Sequence, residues 1–444
     1  MTTSITSAAF IDLRINNAEQ LKESVSEPSP NTVLYLTYGK TDAWANDAAP
    51  TAANSSVALR YEIWNNMIGG KRILGGNIMH AIDRHNWTSG TTYTAYDHMS
   101  DDLYNENTVF YVVNSDYSVY KCLANNTGQP STVEPTSVNP SISSSTSDGY
   151  VWKYMYSISD SEQIRFTTDD YIPVKTLTED EGSLQWQVQT NAVDGAINAI
   201  YITNAGNNYT TDNVVVTITG DGSSATASAT LNTETNTISS IYMTDVGSGY
   251  TFADVTITGG SGTGAAARAI ISPIGGHGSD PIYELGGKNI MINMTLNYSE
   301  NSVLVDDNDF RQISIIKDPH DFNTSNVSRQ LAVNQTKVLT MSGVDDYIQD
   351  ELVYQGTSYS TGTFKARVAS WDSANNLLYV INTLGDVTAS QSLIGTESFT
   401  ARIVSSVTNP HFEKYSGKIL YADHLVPITR SNDQIEDFKI LVKF

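Results

Sequence analysis

Three histidines crowd one short stretch: His80, His85 and His98, with Asp83 and Asp97 among them. Imidazoles and carboxylates are the usual nitrogen and oxygen ligands of zinc, so this group is weighed first. The spacing follows no ligand pattern, and hydrogen-bonded loop histidines explain it more simply. His277 sits among glycines in GGHG, residues 275–278, and reads as an interaction loop or, preferably, a flexible hinge. The acids Asp169-Asp170, Asp306-Asp307 and Asp345-Asp346 come in pairs. A glycosidase needs two carboxyls placed across a sugar, whereas adjacent acids in polar loops are ordinarily just solvated. Asp212, Asp245 and Asp254 could bind calcium, but the nonapeptide calcium repeat is absent.

Aromatic residues make a stronger pattern. DGYVWKYMYSI, residues 148–158, alternates Tyr150, Trp152, Tyr154 and Tyr156, giving a strand with one aromatic face. Such a face can be a carbohydrate platform; core or subunit interface is preferred, and these four are the candidate interface residues. Cys122 in YKCL reads as a small buried apolar residue. No P-loop, GxSxG, HExxH or dinucleotide fingerprint occurs. The expectation is a protein with no catalytic, cofactor-binding or metal-binding residues.

The 444 residues suffice for two to four domains. Net charge is −23 although only 16% of residues are charged, so the acidity reflects few bases rather than acidic blocks. A chain without a basic face is a poor partner for nucleic acid or an anionic membrane. Thr, Ser, Asn, Gly, Val, Ile and the 25 tyrosines favour pleated sheets, and tyrosine also favours interfaces. One cysteine allows no intrachain disulfide and fits folding in a reducing cytoplasm. The N-terminal MTTSITSAAFIDLR has no signal-peptide pattern, and no apolar run reaches the ~18 residues of a membrane span.

The elements are predicted as follows. FRQISIIKDP, residues 310–319, is a buried strand stopped by Asp318-Pro319, with 31–38 and 438–444 as its partners. Residues 8–15 read as a strand and 17–25 as a short helix. Residues 57–68 read as an amphipathic helix ended by Gly69-Gly70, and 73–84 as irregular. Residues 107–113 and 118–123 form a hairpin, and 124–147 an exposed loop. An internal repeat follows: IYITNAGNNYT at 200–210 with VTITG at 216–220, then IYMTDVGSGYT at 241–251 with VTITG at 255–259. Asn208 stands where Gly249 stands, which predicts a left-handed backbone there and a module with pseudo-twofold symmetry. Strands are expected at 289–298, 352–355, 363–371, 377–381 and 398–404, with a turn at 372–376, another at Pro427, and a last strand at 437–444. The fold class is mainly β with a few short helices. It comprises a discontinuous multi-layer β-sandwich core (1–95, 280–345 and 406–444), a second β domain (96–191) and inserted β modules at 192–279 and 346–405.

Several stretches in order resemble baseplate wedge subunit eight of T-even-like contractile-tailed phages. They are NTVLYLTYGKTDAW at 31–44, the helix with Trp64 and Met67, Trp87, VYKCL at 119–123, DGYVWKYMYSI, FRQISIIKDP, YSGKILYADHLVPI at 415–428 and NDQIEDFKILVKF at 432–444. The two inserted modules depart from the family's shorter frame. The resemblance implies a non-enzymatic structural protein of the virion's tail baseplate, made in the host cytoplasm. It implies a β-sandwich homodimer that ties neighbouring wedge proteins together, subunits six, seven and ten among them. The rival expectations are a receptor- or glycan-binding tail fibre protein and, behind it, a polysaccharide-degrading enzyme.

Overall fold

The computed structural model describes residues 10–26, 30–105, 107–141, 143–210, 213–298, 300 and 302–444. The fold is mainly β, as expected, with several antiparallel sheets and few short helices. The chain divides into two compact units. One comprises Leu21–Ile78 and Ile292–Ile440, the other Met1–Gln20, Met79–Met291 and Leu441–Phe444.

In the first of these, strand Asn308–Lys317 lies inside a five-stranded sheet between Leu34–Gly39 and Lys418–Arg430. Leu36 faces Ile315 and Tyr38 faces Ile313, so β-branched and aromatic side chains meet across the ladder. The predicted pairing with residues 31–38 is present. The predicted pairing with 438–444 is not; Lys418–Arg430 takes that side instead. This thirteen-residue strand runs straight through Pro427, which the sequence suggests as a turn. Phe310 faces Ile428 and Gln312 faces His424, so Leu425, Val426 and Pro427 bulge opposite Arg311. An edge strand at a bulge is where a sheet tolerates proline.

Helix Val57–Asn66 is capped by Ser56, whose hydroxyl accepts from Leu59 N at 3.2 Å. Its Leu59, Ile63 and Trp64 pack on Tyr35, Ile316, Val333 and Phe412. The helix stops at Asn66, two residues early, and Gly69-Gly70 is not its terminator. Met67–Ile73 is a strand between Leu34–Gly39 and Ala332–Asn334. A Cβ at Gly69 would lie 2.9 Å from Val333 O, and one at Gly70 2.8 Å from Leu36 O. The glycines therefore serve close backbone approach within the sheet. The region read as irregular, 73–84, also holds a strand, Ile78–Asp83.

The same unit contains a closed six-stranded barrel, in the order Lys337–Ser342, Leu377–Leu384, Phe364–Asp372, Leu352–Gln355, Ser392–Gly395, Ala401–Thr408. Leu339, Val353, Phe364, Val368, Leu378 and Val404 fill it. The expected turn at 372–376 is there, closed by Asn375 N donating to Asp372 Oδ1 at 3.0 Å.

Helix Ile11–Ser24, which belongs to the other unit as far as Gln20, forms where the sequence suggests a strand over 8–15; residues 8 and 9 lie outside the described residues. Ile11, Ile15 and Ala18 are spaced four and three apart on one face, and Ile15 and Ala18 are fully buried. The predicted hairpin forms as Tyr111–Val113 and Ser118–Asn125, and Tyr150–Ser157 pairs beside it.

The repeat builds one six-stranded sheet: Thr237–Asp245, Thr226–Asn232, Val214–Gly220, Ala253–Gly259, Thr263–Ile271, Ile197–Asn207. Thr217 faces Thr256, its counterpart in the other copy, so a pseudo-twofold axis passes between them. The outer strands are exchanged: Ile197–Asn207 pairs with the second copy and Thr237–Asp245 with the first. Tyr209 N donates to Asn236 O at 2.9 Å, and Tyr250 N to Gly195 O at 3.1 Å. Each tyrosine ring packs on a glycine of the other copy, Gly262 under Tyr209 and Gly222 under Tyr250, where a Cβ would come within 2.4 Å. Asn208 and Gly249 both take left-handed backbone, as predicted.

Candidate functional site

The aromatic strand is the first candidate, and its register decides what it can touch. Val119 faces Tyr156, but Tyr120 faces Tyr154, so Met155 is an extra residue in a bulge. A one-residue bulge sends the next side chain to the other face. Tyr150, Trp152 and Tyr154 therefore join Tyr93, Tyr120 and Cys122 in one cluster, while Tyr156 joins a second cluster with Val119 and Ile172. All four of Tyr150, Trp152, Tyr154 and Tyr156 are at most 3% exposed. Tyr150 and Trp152 stack at 5.5 Å, and Tyr93 meets Trp152 edge-on at 5.6 Å. These side chains are interior to the chain, so the geometry assigns them to the core rather than to a contact surface. Cys122 is buried with them, and burial pushes its thiol far above the ordinary range.

The histidines scatter. His80 Nδ1 is 2.8 Å from Gly287 O, His85 packs on the Tyr111 ring at 5.1 Å, and His98 Nδ1 accepts from Ile271 N at 3.3 Å. Among the described residues, no group of three or more His, Cys, Asp or Glu is placed to hold a metal ion. Asp212 lies outside the described residues. Asp245 is spent on a turn, accepting from Gly247 N at 2.9 Å. Of the paired acids, Asp346 accepts the Trp371 indole N–H at 2.8 Å.

His277 is neither an exposed loop residue nor a hinge; it is 3% exposed. The reason lies in Glu284, a buried carboxylate that the sequence does not single out. Glu284 Oε2 accepts from Lys121 Nζ at 2.8 Å, and Oε1 accepts from Gly278 N at 2.6 Å. His277 Nδ1 lies 3.7 Å from Glu284 Oε2, and the Tyr96 ring packs edge-on to His277 with its centroid 4.1 Å from Lys121 Nζ. Burial alone would raise the Glu284 carboxyl, but the Lys121 charge and the hydrogen bonds bring it down to about 2. Burial, helped by Lys121, lowers His277 to about 4. This cluster locks the GGHG return against the Ser118–Asn125 strand.

Three features remain open. The first is a cleft of about 530 Å³ between the repeat sheet and the aromatic sheet, lined by Tyr201, Tyr242, Asn125, Ser240, Asp97 and Arg268 among others. Tyr201 and Tyr242 are equivalent positions of the repeat; a tyrosine recurring at an outward strand position was the available signal. The second is the outer edge of Lys418–Arg430, the last strand of its sheet among the described residues, with Leu420, Tyr421 and Val426 exposed and Leu425 O accepting from Trp44 Nε1 at 3.0 Å. The third is one end of the barrel, where Val344 is 90% and Phe399 80% exposed. Phe399 has φ +56°, a backbone that bulky residues avoid. The fully buried Glu351 fixes that loop, accepting from the backbone N–H groups of Glu397 and Ser398 at 3.1 and 3.0 Å. Thr400 Oγ1 donates to Asp346 O at 2.6 Å and Arg402 Nη2 to Gly343 O at 2.7 Å, tying the Val344 loop to it. Exposed Asp345, Asp346 and Glu397 lie within two residues of Val344 or Phe399 in the sequence. Nothing in the sequence marks Phe399, because its exposure depends on a clamp 48 residues upstream.

These features define a mainly β protein of several antiparallel sheets, aromatic inside and open at an edge strand and a barrel end. Residues 5–146 match the family model described as bacteriophage T4 Gp8. The chain is also similar to baseplate wedge protein gp8 of Enterobacteria phage T4, 26% identical over 204 residues. That match covers 36% of this chain and 61% of the phage T4 protein, so the chain spans about three-fifths of the relative's length. The family resemblance read from the sequence and these two matches agree.

Proposed function

We propose that this chain is a non-enzymatic structural subunit of a phage tail baseplate wedge. It resides in the virion and works as a homodimer that ties neighbouring wedge proteins together. The observation that carries the reading is the family match over residues 5–146. That segment supplies Leu34–Gly39 and Met67–Ile73 of the five-stranded sheet and the hairpin of the aromatic sheet. Two surfaces support the linking role. The edge strand Lys418–Arg430 offers the backbone groups on its outer side to a second copy, Leu425 O excepted because it accepts from Trp44 Nε1, and edge-to-edge addition is a standard way for sheets to join. The Val344/Phe399 end, apolar with acidic residues close by in the sequence, suits a neighbour with an apolar pocket and a basic rim. By resemblance, wedge subunits six, seven and ten are the neighbours to try.

Light scattering of the purified protein at micromolar concentration is expected to give twice 48.4 kDa. A trimer would point to a fibre protein and overturn the reading. Phe399→Asn is expected to leave stability within about 0.5 kcal/mol, since it is a surface change and asparagine accepts left-handed backbone. It should weaken co-sedimentation with wedge partners while the dimer mass stays. Unchanged co-sedimentation would remove the barrel end from the linking role.

A further inference from the structure

We propose that the cleft between the repeat sheet and the aromatic sheet binds a neutral oligosaccharide. At about 530 Å³ it falls within the size range of small-molecule sites. Its chemistry narrows the ligand. Asp97 and Arg268 are the only charged side chains among the lining residues, and they are spent on each other. Arg268 Nη1 donates to Asp97 Oδ1 at 2.9 Å, and Nη2 donates to the other carboxylate oxygen. No uncompensated cation is left for a phosphate or a uronic acid, and a chain of net charge −23 repels anions at long range.

The remaining polar lining is uncharged and includes Asn125, Asn126, Thr127, Ser145, Ser239 and Ser240; some of these groups already bond within the chain, Asn125 Nδ2 donating to Tyr93 O at 3.0 Å and Ser239 Oγ to Thr230 O at 3.1 Å. Hydroxyl and amide groups both donate and accept, and a hydroxyl that donates keeps lone pairs for another partner. Such a wall suits a ligand with many hydroxyls. The apolar lining joins aliphatic side chains to two half-exposed rings, Tyr201 at 46% and Tyr242 at 53%. They occupy equivalent positions in the two copies, so the pseudo-twofold that pairs Thr217 with Thr256 also brings a second tyrosine to the same cleft. The end strands that carry them lie against each other. Arg268 sits 5.2 Å from the Tyr201 ring centroid, so the ion pair also helps position that ring. A pyranose has an apolar C–H face for an aromatic ring and a rim of hydroxyls for the serines and asparagines. Neither a purely apolar ligand nor an anion uses both walls.

This reading stands apart from the baseplate proposal, since a structural subunit can carry a sugar site or lack one. The test is isothermal titration of the full-length protein with maltoheptaose, chitohexaose and xylohexaose, with heparin hexasaccharide as the anionic comparison. At least one neutral oligosaccharide is expected to bind at millimolar concentration or tighter, and more tightly than heparin. Tyr201→Ala with Tyr242→Ala should weaken it by roughly tenfold or more, with the circular dichroism unchanged. Absence of binding to all three neutral sugars would overturn the proposal. So would preference for the anionic sugar, or binding that the double variant leaves intact. If the double variant instead loses a wedge protein while no sugar binds, the cleft is a protein contact and the sugar reading falls, with the baseplate reading untouched.

Discussion

Glu284→Gln is expected to be among the most damaging single changes in the chain, costing about 3–5 kcal/mol, because it leaves a buried ammonium without its anion. Lys121 and Glu284 are almost fully buried and 2.8 Å apart. Glutamine keeps the shape and can still accept from Gly278 N, but carries no charge to offset Lys121. Since several domains need not unfold together, the measurement is hydrogen exchange rather than one melting point. Protection of Ser118–Asn125 and Tyr150–Ser157 should fall roughly a hundredfold or more. The barrel strands, in the other unit, should keep theirs. Lys121→Met with Glu284→Leu should recover much of the loss, because an apolar pair of similar volume often replaces a buried ion pair at little cost.

Acid probes the same cluster. His277 is held near 4, below its unfolded value, so its neutral form contributes stability that is complete above about 6.5 and fades as pH falls towards 4. Glu284 is held near 2, so its contribution is present above about 4.5 and is lost as pH falls towards 2. Protection of the aromatic sheet should therefore decline in two stages between pH 6.5 and 2, and Glu284→Gln should abolish the lower one. A single decline starting only below pH 4.5 would mean that His277 is not buried as a neutral ring.

Periodicity reveals much of this fold and misses what depends on contacts. The 310–319 strand and its partner at 31–38 are legible because both are short, apolar and β-branched between hard stops. The repeat is legible to the level of single residues: Asn208 opposite Gly249 predicts the left-handed turn that both adopt. What fails has a common cause. Gly69-Gly70 looks like a helix stop, but its reason is the Val333 and Leu36 carbonyls, which lie far away in the sequence or on a neighbouring strand. Pro427 looks like a turn until the edge position and the bulge opposite Arg311 are known. Residues 8–15 show alternation too short to separate a strand from the first turns of a helix. His277 reads as a hinge because four local glycine and histidine letters carry no trace of Lys121, more than 150 residues earlier. The open surfaces are the least legible, since exposure of Phe399 or of the Tyr201 and Tyr242 rings is a property of the folded sheet.

Trp152→Ala is the second large effect, and it separates two roles for the aromatic strand. If Tyr150, Trp152, Tyr154 and Tyr156 formed a contact face, alanine would cost affinity for a partner and leave the isolated chain intact. The structure places Trp152 1% exposed, stacked on Tyr150 and edge-on to Tyr93, so its loss opens a cavity instead. Removal of a buried tryptophan side chain costs about 3–5 kcal/mol, most where neighbours cannot collapse into the space. Collapse is hindered here. Tyr150 is tethered by its hydroxyl to Gln129 O at 2.6 Å, and Tyr93 N donates to that same hydroxyl at 3.2 Å. The indole N–H makes no hydrogen bond, so the change sacrifices packing alone. Hydrogen exchange of Ser118–Asn125 should then accelerate while the mass by light scattering, measured where the protein remains folded, stays at the wild-type value. Tyr156→Phe gives the matching control on the other side of the Met155 bulge. It removes only the 2.8 Å bond to Pro173 O, and about 1 kcal/mol is expected. A shift of the mass by light scattering in either variant, with exchange rates unchanged, would return these residues to an interface and remove them from the core.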